Sequence, residues 1–371
     1  MAVHSAGRAE RLTIMVQLQS HAGDALAGPH IAWYVYGLRS FLALVVLGAC
    51  AWGGMALAYR CPGPAVVRYP VVALWVVLGV AAIVALLRVR AGVPLRGWPL
   101  GFLVATILLL SWWHTLKPSN DRNWAADVAQ LLAPEQDGSR ITLHNVRNFE
   151  WRTETDFTPR WETREYDLDK LVSADLVLSY WMGPAIAHTL VSFGFSDGKR
   201  VVFSIEIRKK QGQKFSAVGG FFKDFEATLV AADERDILRV RSNVRGETVY
   251  LYRLNIPPKA LREVFLGYLE RARELRREPA WYNTLTSNCT TIVFELARII
   301  APGLPLDYRL LLSGYFAEYA YDQGGLTPGF TYAQLHERGN IVARALAAGD
   351  APDFSTLIRQ GVPGDDPKVR P

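Results

Sequence analysis

The chain has 371 residues, half of them hydrophobic, and a formal net charge of +6. Residues 1–116 hold 8 of the 41 Lys/Arg residues and 2 of the 35 Asp/Glu residues, which leaves 33 of each for residues 117–371. A nucleic-acid-binding domain would carry its basic excess on the folded part, so this distribution excludes nucleic acid as an expected partner.

Residues 1–30 are polar and lack the apolar core of a signal peptide, so we expect a disordered N-terminus, with Met1 or Met15 as the start. Three uncharged apolar runs follow within residues 31–116, each about 17 to 20 residues long, which is the length that crosses a hydrocarbon core. The sequence therefore predicts three transmembrane helices, at Phe41–Tyr59, Val71–Leu87 and Gly97–Trp113.

Arginine flanks these spans unevenly. Three arginines precede the first span and three crowd the second loop, whereas the first loop holds two. The positive-inside rule places the N-terminus and the second loop in the cytoplasm, and therefore everything after Trp113 on the outer side. The arginines before the first span are Arg8, Arg11 and Arg39, those of the second loop are Arg88, Arg90 and Arg96, and those of the first loop are Arg60 and Arg68.

The sequence of residues 117–323 predicts a soluble α+β domain in which the strands precede the helices. Alternating apolar residues and turn signals mark the strands, and a 3.6-residue period marks the helices. Residues 324–371 predict a C-terminal extension that is partly disordered, with a loose tail over 348–371. The predicted elements are a helix at Trp124–Leu132 ended by Pro134, a turn at 136–139, strands at 141–146, 188–195, 200–208, 236–241 and 247–254, a strand or helix end at 168–178, and helices at 259–277 and 310–321.

Cys289 follows the polar, turn-forming segment Asn283–Asn288 and begins an apolar-periodic helix. Asn288 or Ser287 can cap that helix, which places the Cys289 sulfur at the positive end of a helix dipole. Such a position stabilises a thiolate and leaves backbone donors for an oxyanion. The alternative is a buried, inert cysteine, which is the commoner case for a lone thiol.

The positions of the cysteines and histidines exclude a disulfide and a zinc site in the soluble part. Cys50 and Cys61 belong to the apolar runs, so Cys289 is the only thiol of residues 117–371 and has no disulfide partner there. No Cys/His group has zinc-site spacing, so we expect no metal and no cofactor.

A catalytic thiol needs a base and a group that orients the base. His188 is the candidate base because it begins a hairpin strand after the loop at Gly183-Pro184. The partner strand carries Ser204 and Glu206 on one face, so Glu206 is the candidate orienting group, with Ser204 as the alternative. Structural alternatives are a strand-end histidine packed on Trp181 and a surface carboxylate.

The order His188, Glu206, Cys289 is that of a circularly permuted papain-like core. Residues 141–300 resemble the N-terminal periplasmic domain of Lnb-type bacterial lipoprotein N-acyltransferases. The resemblance rests on six stretches in the same order: Val146-Arg-Asn-Phe149, Trp161-Glu-Thr-Arg-Glu-Tyr-Asp-Leu168, Ile186-Ala-His-Thr-Leu-Val-Ser-Phe-Gly-Phe195, Ser204-Ile-Glu-Ile-Arg208, Asp233-Glu-Arg-Asp236 and Trp281-Tyr-Asn-Thr-Leu-Thr-Ser-Asn-Cys-Thr290.

This resemblance implies a multi-pass protein of the bacterial inner membrane whose periplasmic domain transfers acyl chains. Cys289 would take an acyl chain from a membrane phospholipid as a thioester, and His188 would act as base and then acid. The acceptor would be the α-amino group of a lipoprotein. The spans precede this domain here, whereas they follow it in Lnb-type enzymes.

Further polar residues are candidates for substrate or oxyanion binding. Guanidinium groups match phosphate, so Arg147, Arg239 and Arg241 are candidates for a phospholipid head group, together with Asn148. Each also has a purely structural interpretation as an ion-pair partner. The candidates near the thiol are Asn283, Asn288 and Thr290.

Three function classes follow from these observations: a thiol acyltransferase or lipid hydrolase, a thiol peptidase or amidase acting on a peptide substrate, and a non-catalytic membrane-anchored binding domain. An apolar groove would favour the first, an acidic open cleft the second, and a Cys289 sulfur far from every histidine the third. The sequence does not specify the oligomeric state.

Overall fold

A computed structural model of the chain describes residues 29–88 and 97–365, with side chains from residue 33 onward. The chain divides into two compact units, Met1–Lys117 and Pro118–Pro371. The expected disorder of residues 1–28, the choice between Met1 and Met15, and Arg90 and Arg96 of the second loop lie outside the described residues. The predicted orientation in the membrane therefore stays a prediction.

The first unit consists of three long apolar helices, α1 (Pro29–Arg60), α2 (Ala65–Arg88) and α3 (Trp98–Thr115). All three are long and apolar enough to cross a membrane, which confirms the predicted apolar spans. Trp75 of α2 packs against α1 and donates from its indole N–H to the Cys50 carbonyl at 2.9 Å. Gly53 permits this approach, because a Cβ there would overlap the Trp75 ring.

The second unit is built on one eight-stranded sheet in the order β1-β2-β9-β8-β7-β6-β10, with β5 also paired to β2. All pairs are antiparallel except a single parallel bridge between β2 and β9. Strands β3 and β4 form a separate hairpin. The strands are β1 (Ala133–Asp137), β2 (Arg140–Arg147), β3 (Glu150–Trp151), β4 (Phe157–Thr158), β5 (Trp161–Asp167), β6 (Leu171–Tyr180), β7 (Ala187–Phe195), β8 (Arg200–Arg208), β9 (Glu226–Ala232) and β10 (Thr248–Arg253).

Helices cover both faces of the sheet, because its central strands are apolar on both sides. Val191 and Phe193 of β7 face the core under two amphipathic helices, whereas Leu190 faces a second core on the other side. The first pair of helices is α5 (Pro258–Arg277) and α6 (Cys289–Ile300). The others are α4 (Glu234–Arg239), α7 (Phe316–Asp322), α8 (Tyr332–Gly339), α9 (Val342–Ala348) and α10 (Phe354–Leu357).

The α+β class is confirmed, and the predicted strands at 141–146, 188–195, 200–208 and 247–254 agree with β2, β7, β8 and β10 within two residues. The helix predicted at 259–277 is α5. The first residues of the domain were predicted incorrectly. Trp124–Leu132 contains only one 3₁₀ turn, at Ala126–Val128, and Pro134 does not end a helix but lies in β1. That strand is at the edge of the sheet, where a residue without an N–H is tolerated.

Two later predictions were also wrong. Residues 236–241 belong not to a strand but to α4 and the turn after it, because the Asp233 side chain accepts from the Arg235 N–H and caps the helix. The predicted helix at 310–321 is two 3₁₀ turns followed by α7. The strand β9 was missed, because a short apolar run has no period of its own.

The expected loose tail is packed as far as Asp365. Phe354 and Ile358 are buried in the core on the α4 side of the sheet, and the Arg359 side chain is completely buried. Its guanidinium pairs with Asp175 of β6 and Glu234 of α4. These long-range ion pairs order a segment whose local sequence is that of a loop.

Candidate active site

Cys289 is the first residue of α6 and is 7% exposed. Asn288 caps the helix: its Oδ1 accepts from the Thr290 and Thr291 N–H groups at 2.9 Å each, while the Thr291 hydroxyl oxygen accepts from the Asn288 N–H at 2.8 Å. This capping box fixes the sulfur at the positive end of the helix. Asn288 occupies two first-turn donors, and a third, the Cys289 N–H, donates to the Tyr282 phenol, so an oxyanion there would take the place of that phenol.

His188 begins the β7–β8 hairpin, whose register pairs Leu190 with Ser204. The same register, continued by two residues, sets His188 opposite Glu206. The His188 Nε2 lies 2.7 Å from the Ser204 Oγ and 3.1 Å from the Glu206 Oε1. The Ser204 hydroxyl also donates to the Glu206 Oε1 at 2.8 Å. Both residues considered as orienting groups therefore contact the same ring nitrogen, and Nδ1 is left for the thiol.

Cys289 and His188 interact electrostatically. Burial raises the pKa of the Cys289 thiol, but attraction to the His188 imidazolium, a hydrogen bond with it, and hydrogen bonds from the Thr189 N–H and the Thr290 hydroxyl together bring this pKa below its ordinary value. Burial lowers the pKa of His188 and repulsion from Arg241 adds to this, but the Glu206 carboxylate and the Cys289 thiolate together outweigh both and raise the pKa to about 9. The arrangement thus stabilises a thiolate–imidazolium pair.

Arg241 extends this network on the far side of Glu206. Its Nη2 donates to the Glu206 Oε1 at 3.0 Å, and its Nη1 donates to the Glu247 Oε2 at 3.2 Å. Glu247 also accepts a short hydrogen bond from Ser179 of β6. Attraction to His188 and Arg241 holds the pKa of Glu206 well below its usual range in spite of its burial, so the carboxylate is ionised.

The sequence did not identify Ser179 or Glu247 as members of this network. No local signal could have identified them, because their contact depends on the pairing of β6 with β10. Arg241 was identified as a candidate for phosphate or as an ion-pair partner, and the structure shows it in ion pairs with Glu206 and Glu247.

The other residues predicted to bind a phospholipid head group make structural contacts in the domain. Arg147 pairs with Asp236 through two hydrogen bonds of 2.9 and 3.1 Å, although it also borders the cleft described below. Asn148 donates to Glu162, and Arg239 donates to the Gly349 and Trp151 carbonyls; neither lines the cleft. These contacts favour the structural interpretation of Asn148 and Arg239.

Asn283 shapes the turn before the cysteine. Its side-chain oxygen accepts from the Leu285 and Thr286 N–H groups at 2.9 and 3.0 Å, and it does not line the cleft. Thr290 does line the cleft, and its hydroxyl lies 2.8 Å from that of Thr189.

Cys289, His188 and Glu206 all line one cleft of about 1140 Å³. Large apolar side chains surround its mouth and are exposed by about half: Trp181 (43%), Met182 (53%), Phe215 (52%) and Leu311 (51%). The rings of Trp181 and Phe215 meet edge to face at 5.3 Å. Exposed apolar groups of this size, gathered at one opening, are typical of a binding site for a lipid or a protein.

Two buried donors at the cleft lack partners among the residues that the structure describes. They are the Nε atoms of Arg241 and Arg245, and both side chains line the cleft. Repulsion from Arg241 adds to burial in lowering the pKa of Arg245. An anionic group would be favoured beside them. Within residues 29–88 and 97–365, no group of His, Cys, Asp and Glu side chains could hold a metal ion.

The fold and site are those of a membrane-anchored protein with an α+β domain that sets a cysteine beside a histidine. Residues 157–314 match the family model of the Lnb N-terminal periplasmic domain, which confirms the resemblance carried by the sequence motifs. The match includes His188, Glu206 and Cys289 and covers less than half of the chain. With the three apolar helices, it indicates a membrane-anchored protein whose soluble domain is periplasmic. No curated protein and no solved structure gave a match.

Proposed function

We propose that the protein is a thiol acyltransferase of the bacterial inner membrane with a permuted papain-like periplasmic domain. Its substrates are a membrane phospholipid as acyl donor and an amine, such as the α-amino group of a lipoprotein, as acceptor. The observation that carries the proposal is the pairing of Cys289 with His188 inside a cleft that has an apolar mouth. The permuted order, with the histidine strand before the cysteine helix, supports the fold assignment.

The reaction has two steps. The Cys289 thiolate attacks the carbonyl carbon of a phospholipid ester, so a C–S bond forms and the ester C–O bond breaks. The His188 imidazolium gives its proton to the departing lysophospholipid alcohol. The amine then attacks the thioester, a C–N bond forms, the C–S bond breaks, and His188 takes the proton that the amine loses. The Cys289 N–H stabilises the oxyanion in both steps.

The cleft also supports a lipid as the donor. Its apolar mouth can accept acyl chains, and the Nε donors of Arg241 and Arg245 suit a phosphate in the same cleft. A peptidase would use the same cysteine and histidine with water as the acceptor. The apolar character of the mouth favours a lipid over a peptide substrate.

Mass spectrometry of the intact protein tests this proposal. Full-length protein incubated with phospholipid vesicles should gain one acyl chain, located on Cys289 and on neither Cys50 nor Cys61. Cys289→Ala should abolish the adduct, and His188→Ala should slow its formation by about 10²- to 10⁴-fold.

The matched control is His144→Ala, since His144 lies against Glu135 and outside the cleft. An acyl chain that forms at the same rate without His188, or that appears on another cysteine, would refute the mechanism. Cleavage of a peptide by a protein that takes up no acyl chain would favour the peptidase.

A further inference from the structure

One wall of the cleft is aromatic and is not used by the reaction described above. It consists of Tyr180 of β6, Tyr250 of β10, and Tyr332 and His336 of α8, all half-buried and all lining the cleft that holds Cys289. Tyr180 and Tyr250 meet edge to face at 5.4 Å, Tyr250 stacks on His336 at 4.1 Å, and His336 lies 5.7 Å from Tyr332. The four rings therefore form one continuous surface.

This aromatic wall carries no charge at neutral pH. Burial raises the pKa of the Tyr180 and Tyr332 phenols and lowers the pKa of His336. The Tyr252 hydroxyl lies 2.7 Å from the His336 Nδ1, an arrangement that suits a neutral ring accepting from the phenol. The wall thus presents electron-rich rings without a cation of its own.

Glu318 of α7 borders the same part of the cleft. It is half-buried, and its charge contributes to the raised pKa of Tyr332. Three other carboxylates of the cleft have basic partners: Asp127 has Lys209, and Glu206 and Glu247 share Arg241. The fifth, Glu154, is exposed to solvent. Among residues 33–88 and 97–365, Glu318 has neither an ion pair nor a hydrogen-bond donor. A carboxylate without a protein partner at the wall of a cleft is available to pair with a cation of the ligand.

We propose that the aromatic wall and Glu318 form a subsite for an alkylammonium group of the substrate. Aromatic faces attract organic ammonium ions through the ring quadrupole, and an adjacent carboxylate adds direct charge attraction. The inference rests on the proposed function, which needs one substrate with an ester and another with an amine. The ammonium group belongs either to the head group of an ethanolamine phospholipid or to the acceptor amine before it loses its proton.

Binding can be tested without catalysis in full-length Cys289→Ala protein. Choline is the probe, and 3,3-dimethylbutan-1-ol, which has the same shape and no charge, is the comparison. Titration followed by intrinsic fluorescence should show choline binding about tenfold more tightly than the neutral alcohol. Glu318→Gln and Tyr250→Leu should each remove most of that preference. The matched control is Glu337→Gln, since Glu337 is exposed on α8 and does not line the cleft. Equal binding of the two probes would overturn the subsite.

Two kinetic arms distinguish the sources of the ammonium group. Acylation of Cys289 is measured with vesicles of phosphatidylethanolamine or phosphatidylglycerol, and transfer is measured from the preformed thioester to glycine amide. If the lipid head group binds, Glu318→Gln slows acylation by phosphatidylethanolamine about tenfold more than acylation by phosphatidylglycerol. If the acceptor binds, Glu318→Gln slows transfer alone.

No effect in either arm would overturn the inference, and normal acylation would then leave the proposed function intact. A protein that binds choline through Glu318 but never acquires an acyl chain would support the ammonium subsite and refute the acyltransferase proposal.

Discussion

Two ionic clusters of the soluble domain each pair one arginine with two carboxylates, but they differ in burial. In the first, Arg359 pairs with Asp175 and Glu234, and all three side chains are completely buried. In the second, Arg241 pairs with Glu206 and Glu247 beside His188, at the wall of the cleft. The Arg359 cluster is sealed within the fold, whereas the Arg241 cluster borders the cleft, and its Nε has no partner among the described residues.

The two clusters differ in what their ion pairs contact. The Arg359 guanidinium uses Nε and both terminal nitrogens on protein acceptors, and it joins the C-terminal segment to β6 and α4. The Arg241 cluster acts on a titratable ring, because Glu206 raises the pKa of His188. A change in the Arg359 cluster should therefore affect stability, and a change in the Arg241 cluster should affect reactivity.

The largest effect is expected from Arg359→Met. Loss of the guanidinium leaves the Asp175 and Glu234 carboxylates buried without their main partner, which costs about 3–5 kcal/mol in the free energy of unfolding. Urea denaturation followed by circular dichroism measures this loss. Arg271→Met, which removes an exposed ion pair with Glu295, is the control and should cost less than about 1 kcal/mol. If Arg359→Met were as mild as the control, the cluster would not hold the C-terminal segment in place.

Glu206→Gln should affect the reaction more than the fold. Without the carboxylate, the attraction that raises the pKa of His188 is lost, so the thiolate–imidazolium pair is weakened. We expect acylation of Cys289 to slow by about 10- to 100-fold, within the range for a group that supports a general base. Mass spectrometry of the acyl adduct measures the rate. A loss of stability as large as that of Arg359→Met would remove the distinction between the two clusters.

The pH dependence of Cys289 alkylation tests whether the Arg241 cluster, through Glu206, controls the reactivity of the thiol. The folded-state pKa of Cys289 is lowered from its ordinary value and that of His188 is raised to about 9, so the imidazolium persists until about pH 9. Iodoacetamide should therefore begin to label Cys289 at a lower pH than it labels an ordinary thiol. In Glu206→Gln the onset of labelling should move to higher pH, whereas Arg271→Met should leave it unchanged. An onset that ignores Glu206 would show that the pair does not depend on this carboxylate.

The two clusters also differ in the sign of their linkage to pH. The raised pKa of His188 means that its stabilising contribution is fully present below its unfolded pKa of about 6.5 and is lost as the pH rises through about 9. Burial raises the pKa of Asp175, but Arg359 and Arg253 lower it to about 2. The contribution of Asp175 is therefore present above its unfolded pKa and is lost as the pH falls through about 2.

The sequence predicted the parts of the site that depend on local structure. The turn at 196–198 sets the register of β7 and β8, so the contact between His188 and Glu206 could be expected from alternation alone. The cap of Asn288 on α6 is likewise local. The Arg241 cluster could not be predicted, because residues 236–241 were interpreted as a strand and Glu247 reaches Ser179 only through the long-range pairing of β6 with β10.

The same limit applies to the aromatic wall and to Arg359. Tyr180, Tyr250 and Tyr332 come from three separate elements, and nothing in their neighbouring residues relates them. Arg359 lies in a segment whose glycines and prolines predict a loose tail. Both groups form only when distant elements pack together, and local periodicity carries no information on that step.

The smallest effect is expected from Ser204→Ala. Ser204 and Glu206 both lie within hydrogen-bond distance of the His188 Nε2, but only Glu206 carries a charge that raises the pKa of the ring. Loss of the hydroxyl removes its hydrogen bonds with the His188 Nε2 and the Glu206 Oε1 but no charge, so acylation should slow by only about fivefold, which corresponds to about 1 kcal/mol. The onset of alkylation with pH should stay close to that of the wild type, since Glu206 and Arg241 remain. If Ser204→Ala instead slowed acylation more than Glu206→Gln, the hydroxyl would be the group that orients His188, and the carboxylate would serve mainly to bind Arg241.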